Sequence, residues 1–472
     1  MDKATTLNNY FYSCFNHRQP PVLDPPSNRL PPNECPIELL CTEDSVFELL
    51  SNLDTTKSTG SDGISSKMLK CTSLSIADPL HKLFNVSIST GILPTDWKMG
   101  RITPIPKGTN KSLPSGYRPI SVLPIVSKLI ERHIKAIVEE FLRVNAPISA
   151  RQWGFMSNRS TASALIKVVD DWQRALDQGY EVCVVFFDVS KAFDTVPHSL
   201  LLAKLNELGL DPYLLQWISN YLSDRSQCVC VDGVSSCYLP VVSGVPQGSV
   251  LGPLLFITYI NDVATCISSG SNVNMFADDI ALYRIIKTAA DYAHLQEDVD
   301  ATSECIQEKD LQFNATKCKT MLISRKRLNM ITPPQIILNG VVLDKVQSYK
   351  YLGITLTSNL SWSPHISVCC NKTRKLIGLL YRRFYQHASS STLLMVHCSF
   401  IRPHLEYGSI VWNPSYRVKL INWRKCRNLH CGFVSSPGMQ ITRICYLPPT
   451  CHHYKSVACW PVCVTYLKFQ EV

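Results

Sequence analysis

Three carboxylates stand out for their places in the chain. Asp188 closes an apolar, β-branched run at residues 181–189, EVCVVFFDV. Asp278 and Asp279 lie side by side between two apolar arms in residues 272–286, NVNMFADDIALYRII. Acids brought to the ends of neighbouring strands repel, and each makes its neighbour's proton harder to lose. Divalent cations resolve that conflict. Mg²⁺ takes hard oxygen ligands and is usually held by one or two carboxylates together with substrate phosphates. Two such ions roughly 3.5–4 Å apart activate an attacking hydroxyl and stabilise a leaving oxygen, as in polymerases and nucleases. A lone Asp-Asp pair at a turn is ordinarily solvated, because Asp favours turns. The apolar framing of this pair and the separate acid-ended strand upstream argue for more.

The elements that must position these acids are legible in outline. Residues 181–189 read as a strand buried on both faces. Residues 272–286 read as a hairpin around an acidic turn, and 227–231 followed by Asp232-Gly233 and a second apolar run as another. Pro197 opens a helix with Leu200, Leu201, Leu205 and Leu208 on one face, and Gly209 ends it. Residues 122–143 carry Leu129, Ile130, Ile134, Ile137, Val138 and Phe141 at helical spacing. Lys128, Arg132 and Lys135 lie on the opposite face, which is ordinarily a solvated one. Residues 250–263 read as a buried helix after a Gly/Pro-rich loop. Strands interleaved with helices and hairpins predict an α+β fold.

The chain has 472 residues, of which 45% are hydrophobic and 18% charged. That composition excludes wholesale disorder and collagen-like structure, and the length allows about two to four domains. The net charge of +10 is local: residues 367–427 hold eleven Lys or Arg and one acid, Glu406, so the remainder balances to zero. A basic stretch of this kind points to a polyanionic partner. No secretory signal opens the sequence, and no apolar run approaches the ~18–20 residues that span a bilayer. The reading is an intracellular protein without a membrane partner, nucleus and cytoplasm both remaining open. The 20 Cys form no repeated framework and read as reduced, mostly buried residues. Pro20, Pro21, Pro25, Pro26, Pro31, Pro32 and Pro36 predict an extended linker within an N-terminal linker region, 1–56.

Nine ordered stretches give a resemblance: KSTGSDGIS (57–65), LPTDWKMGRITPIPK (93–107), YRPISVLPIVSKLIER (117–132), QWGFMSNRST (152–161), FFDVSKAFDTVPH (186–198), SGVPQGSVLGPLLFITYINDV (243–263), FADD (276–279), FNATKCKTM (313–321) and YLGI (351–354). In order and spacing the chain resembles the reverse transcriptase of a non-LTR (LINE-type) retrotransposon, nearest the jockey-like group. The resemblance implies a right-hand polymerase of fingers, palm and thumb, the palm being antiparallel sheet packed on helices. It implies RNA-templated DNA synthesis from a 3′-OH primer, with an RNA template, a DNA primer and dNTPs as partners, and two Mg²⁺ ions as cofactors, Mn²⁺ being the alternative. No obligate protein partner is evident.

The resemblance also implies roles. Asp188, Asp278 and Asp279 match the catalytic, metal-holding triad. Phe193, five residues after Asp188, matches the steric gate that excludes a ribose 2′-OH, although by itself it reads as core. Arg118 and Lys107 match the residues that grip the incoming triphosphate, and Arg suits phosphate through its planar, bidentate donors. Gln247 and Gly248 match the loop under the nascent base pair. Lys317 matches the lysine that protonates the pyrophosphate leaving group, although alone it reads as a surface lysine. Tyr351, Leu352 and Gly353 match the primer grip. Asp194 and Asp262 read as structural, capping or ion-paired.

The expected organisation is a reverse transcriptase domain of fingers and palm over 57–357, a basic thumb-like helical region over 358–420, and an atypical Cys/His-rich tail over 421–472. Lys372, Arg374, Lys375, Arg382 and Arg383 recur on the expected thumb helices. The tail holds six Cys and three His, and no acid occurs from Tyr407 to Gln470. Its spacings are irregular for zinc, and a frameshifted end is the favoured reading of it. The family's endonuclease is not recognisable here, so a polymerase unable to nick its own target is expected. Two other readings stay open. One is an inactive relic that only binds nucleic acid. The other is a two-metal nuclease, which would not need the YRPIS and VPQGS stretches.

Overall fold

The computed structural model describes residues 2–18, 30–108, 111–326, 334–384 and 388–412. They fall into two compact units, one spanning Met1–Ser367 with Gly408–Pro414 and the other including Val368–Tyr407. The tail at 421–472 and Pro20, Pro21, Pro25 and Pro26 lie outside the described residues.

Helix α1 (Lys3–Tyr12) is opened by Asp2, whose carboxylate accepts from the Thr5 N–H. Two 3₁₀ turns, Pro32–Glu34 and Ile37–Leu39, lead to α2 (Glu43–Ser51), which starts on a Thr42–Ser45 capping box. Helices α3 (Ser66–Cys71) and α4 (Ser73–Thr90) follow. Gly91 ends α4 at φ +65, a left-handed conformation that glycine adopts without cost. This stretch corrects the linker expected over 1–56. Leu39, Cys41, Val46 and Leu50 belong to the main core, and Ala4, Leu7 and Phe11 pack on Ile102, Tyr117 and Val229. No unit boundary falls near residue 56. An amphipathic helix buries its apolar face wherever a sheet offers one, and proline spacing between helices does not forbid it.

Two sheets carry the first unit. One joins β1 (Met99–Pro106) and β2 (Tyr117–Val122) antiparallel, and β1 also pairs in parallel with β4 (Arg225–Val231). Helices α5 (Ile125–Asn145) and α6 (Thr161–Asp177), then β3 (Glu181–Asp188), lie between them in sequence. After β3 come α7 (Ala192–Thr195), α8 (His198–Glu207) and α9 (Pro212–Leu222). The expected Asp232-Gly233 hairpin is present: β5 (Val234–Ser235) returns on β4, and β6 (Leu239–Val241) pairs with β4 as well.

Helix α10 (Gly252–Tyr259) is buried at every position but Pro253, and apart from Thr258 it is apolar on all sides, as a core helix must be. The second sheet has the order β12-β9-β3-β8-β7. The hairpin β7 (Ser271–Phe276) and β8 (Asp279–Ile286) lies on one side of β3. After α11 (Ala290–Glu308), β9 (Lys319–Ile323) lies on the other. Val182 to Phe187 are all buried, which is what an unbroken apolar run in a central strand requires. Short strands β10 (Ile337–Leu338), β11 (Val341–Val342) and β12 (Asp344–Lys345) precede a hairpin of β13 (Ser348–Tyr351) and β14 (Ile354–Thr357).

The second unit takes most of α12 (Ser363–Phe384), with α13 (Ser390–Val396), a π-helical turn at His397–Ile401 and α14 (Arg402–Glu406). Its helices enclose a small core of Leu380, Ile401 and Leu405. Lys372, Arg374, Lys375, Arg382 and Arg383 are all exposed on α12. The cysteines among the described residues are all free thiols, and Cys41, Cys183, Cys228, Cys305, Cys318 and Cys370 are buried. No helix of the described residues is long and apolar enough to cross a membrane.

Candidate active site

The β3–β8 register places Asp188 directly opposite Asp279. Directly opposed residues of an antiparallel pair share a face, with Cα atoms about 4.5–5.5 Å apart. Asp278 sits in the two-residue turn beside them, after Ala277, which takes φ +55. A side chain at positive φ is costly for alanine and must be held. Gln152 holds it: its Oε1 accepts the N–H of Ala277 at 3.0 Å and of Gly154 at 2.9 Å. A Cβ on Gly154 would come within 2.6 Å of the Ala277 nitrogen, so only glycine lets this loop lie against the turn.

The other side of Asp188 is fixed by the chain that enters β9. Asn314 donates its N–H to the Asp188 carbonyl at 2.8 Å, and the Asp188 N–H points to Cys318 Sγ at 3.3 Å. Lys317 reaches Asp188 Oδ2 at 3.2 Å. Packing around Asp279, which still has one side open to solvent, pushes its carboxyl up to about 6, and the charges of Asp278 and Asp188 add to the shift. Burial, then Asp188, also raises Asp278, while Arg118 acts against both shifts. This is the electrostatic signature of acids that lack countercharge. With Asp188 opposite Asp279, the site offers three hard-oxygen donors, which fit divalent cations.

Cations gather opposite the acids. Crowding lowers the Lys107 pKa first, and the charges of Lys191, Arg118 and Lys317 lower it further. Lys191, Arg118 and Lys317 thus lie within electrostatic range of Lys107, and Arg118 is within range of Asp278 and Asp279. Gln247 and Gly248 lie against β2 and the turn after β3. The Gln247 carbonyl accepts the Ser121 N–H at 2.7 Å, and its side-chain amide donates to Asp194 Oδ1 at 2.7 Å. Gly248 has φ +111, and a Cβ there would meet the Ser121 carbonyl at 2.6 Å. Burial pushes Asp194 up to about 6 against the lowering effect of that amide.

Phe193 is half-buried, stacked on Phe256 with centroids 4.4 Å apart and edge-on to Phe155 at 6.0 Å. Tyr351 is buried, and its hydroxyl accepts from Asn274 Nδ2 at 2.9 Å. Leu352 and Gly353 form the β13–β14 turn at φ +44 and +84. Asp279 raises the Tyr351 hydroxyl pKa further after burial, so this hairpin flanks the acids. Asp262 pairs with Lys309 at 2.8 Å and Lys204 at 3.1 Å, an ion-paired structural acid.

Residues 105–356 match the family model described as reverse transcriptase (RNA-dependent DNA polymerase). The chain belongs to the reverse transcriptase family. It is 31% identical over 391 residues to the RNA-directed DNA polymerase from mobile element jockey of Drosophila melanogaster, covering 80% of this chain and 42% of that protein. It is 29% identical over 429 residues to the probable RNA-directed DNA polymerase from transposon BS of the same species, covering 87% and 47%. The R2DM type-2 element's Pol polyprotein is 26% identical, over 65% of this chain and 29% of that protein. This reverse transcriptase chain thus spans about half the length of the jockey and BS proteins.

Two positioning groups escaped the sequence reading. Gln152 lies inside the QWGF stretch but carried no assigned role. Glu131, on the core face of α5, is wholly buried, and burial raises its pKa. It accepts the N–H groups of Val250 at 2.7 Å and Leu251 at 3.1 Å, fixing the N-terminal end of α10 just after Gln247 and Gly248. The available signal was an acid at an apolar helix position, which has to be explained by donors from elsewhere.

Proposed function

We propose that this chain is the polymerase portion of a non-LTR retrotransposon protein, extending a DNA 3′-OH on an RNA template with dNTPs. The observation that carries the reading is the register of Asp188 on Asp279 with Asp278 in the adjoining turn. In the right-hand description, the β12-β9-β3-β8-β7 sheet is the palm, the β1–β2 pair belongs to the fingers, and α12 to α14 form the thumb.

Asp188 and Asp278 would hold two Mg²⁺ ions, with Asp279 supporting the site. Bound there, the ions supply Lewis acidity to the 3′-hydroxyl and to the leaving oxygen. The chain's own residues do the rest. Arg118 and Lys107 orient and neutralise the triphosphate for in-line attack. Lys317 delivers a proton to departing pyrophosphate, and its present seat on Asp188 puts it within a side chain's swing of that position. Phe193, braced by Phe256, fills the space beside C2′. Gln247 and Gly248 support the templated pair, and the Tyr351–Gly353 turn holds the primer end.

Primer extension on poly(rA)/oligo(dT) tests this. Incorporation of dTTP is the expected result. Binding of the template–primer with no incorporation would sink it and favour a relic that only binds nucleic acid.

A further inference from the structure

Helix α1 lies outside the segment that matches the family, yet it reaches the turn between Asp188 and Phe193. Lys191 occupies that turn at φ +50. Its ammonium donates to the Tyr10 hydroxyl at 2.7 Å and to Cys14 Sγ at 2.8 Å, and lies 4.4 Å from the centroid of the Tyr10 ring. A half-buried ammonium with three such partners from one segment is held at a fixed place and does not sweep the surface as a free lysine does.

The segment after α1 is itself fastened at two further points. The Asn16 N–H donates to Ser243 Oγ at 2.8 Å, and Ser243 donates to the Asp194 carbonyl at 2.7 Å. Asn16 Nδ2 and Arg18 both reach Asp310. Residues 2–18 therefore run from the β1–β4 sheet to the turn after β3 and on to the end of α11.

Lys191 is also electrically part of the cation group. After crowding, its charge is the largest influence lowering the Lys107 pKa, ahead of Arg118 and Lys317. It also lowers the pKa of half-buried Asp194, after Gln247. A lysine three residues beyond Asp188, if released, could close an ion pair on that acid, as Lys317 already does.

We propose that α1 and the residues just after it are a working part of the nucleotide site: Tyr10 and Cys14 are positioning residues that hold Lys191 as a fixed, fourth cation beside Lys107, Arg118 and Lys317 for the incoming triphosphate. This rests on the polymerase reading above, and deepens it by assigning a triphosphate-binding role to a residue and a helix outside the gripping pair Arg118 and Lys107. The ligand is a polyphosphate anion, whether the triphosphate arriving or pyrophosphate leaving.

The test is single-nucleotide incorporation on saturating template–primer, with pyrophosphate inhibition measured alongside. Tyr10→Phe with Cys14→Ala keeps the apolar seat of α1 and removes both polar partners. It should raise the dNTP KM and the pyrophosphate inhibition constant together, by about three- to tenfold, with kcat within twofold. Lys191→Met should do the same, and the triple variant should be no worse than Lys191→Met alone, since coupled residues are not additive. Lys191→Arg should recover part of the loss. An unchanged dNTP KM in either variant, or full additivity in the triple, would overturn the proposal. So would a rise in KM without a parallel rise in the pyrophosphate constant. Melting temperatures of all variants identify any that fail to fold, and Tyr10→Phe alone then replaces the pair. Failure of the wild-type chain to incorporate would overturn the polymerase reading, whereas these comparisons are made within an active wild type.

Discussion

Lys317 Nζ lies 3.2 Å from Asp188 Oδ2, so the residue assigned to protonate the leaving group rests on an acid assigned to hold metal. Both ends of the pair are partly exposed, and an exposed pair of this kind contributes little to stability. Its interest is positional. On the polymerase reading, a cation held by Asp188 would break the pair and free the ammonium for a phosphate oxygen.

Replacing Lys317 should therefore affect turnover more than affinity. Lys317→Leu is expected to lower kcat by about 10²-fold, the usual scale for a lost general acid, with the dNTP KM changed less than threefold. Pre-steady-state incorporation measures both. A loss confined to KM would make Lys317 a phosphate contact only.

Asp188→Asn and Asp278→Asn should each reduce extension by at least about 10²–10³-fold while template–primer affinity stays near wild type, because charge for metal is lost and the basic surface is not. Filter binding and primer extension on the same preparations separate the two. Near-normal incorporation by either variant would return that acid to a structural role.

Phe193 stacks on Phe256, so truncating it opens space at the site without unseating the core helix. Phe193→Val should raise rNTP use relative to dNTP use by tenfold or more, on the order of 1–3 kcal/mol of lost steric discrimination. An unchanged ratio in a folded variant would leave Phe193 as core alone.

The raised carboxyls give a pH signature. Asp279, pushed up to about 6, has a folded pKa above its unfolded one. The folded state then binds more protons between about pH 4 and 6, and stability falls as pH rises through that window. Asp194, also up at about 6, acts in the same direction. The ligand-free protein should melt lower at pH 7 than at pH 5.5. Mg²⁺ should raise the melting temperature more at pH 7, where the carboxylates are ionised. Asp279→Asn should flatten the pH slope, and differential scanning fluorimetry across that range would show whether it does.

The exposed cations of α12 carry the remaining prediction. Neutralising Arg374, Lys375, Arg382 and Arg383 together should weaken template–primer binding with little regard to sequence. Each lost phosphate contact should flatten the log K against log[salt] slope by about 0.7–0.9. A folded variant with the wild-type slope would make this an ordinary solvated face.

The acid-bearing strands could be read from the chain because their determinants are local. An unbroken apolar run ending in Asp188, and two apolar arms around Ala277-Asp278, specify a central strand and a hairpin within a few residues. The supports of the site are not local. Gln152 meets Ala277 across 125 positions, and Glu131 meets Val250 across 119. Nothing near either residue in sequence announces its partner. Helix α1 was missed for the same reason, since the apolar face that holds it comes from β1, β2 and β4, and a proline-rich stretch behind it suggested detachment. Ala277 at φ +55 was equally hidden, because an alanine gives no hint of a conformation usually left to glycine or asparagine.

The parallel pairing of Met99–Ile102 with Ser226–Val229 bears on how the chain is made. Strand β1 has its antiparallel partner β2 soon after synthesis, but the partner on its other edge is encoded more than 120 residues later. Helix α1, which packs on Val229, waits longer still. At ribosomal rates of about 5–20 residues per second, Leu7 and Phe11 wait roughly 10–45 s for Val229, the last part of the surface that buries them. Loop closure over such a span also slows folding after release. The nascent chain thus carries α1 with part of its apolar face unpaired until β4 has been made, and chaperone demand should concentrate in that interval.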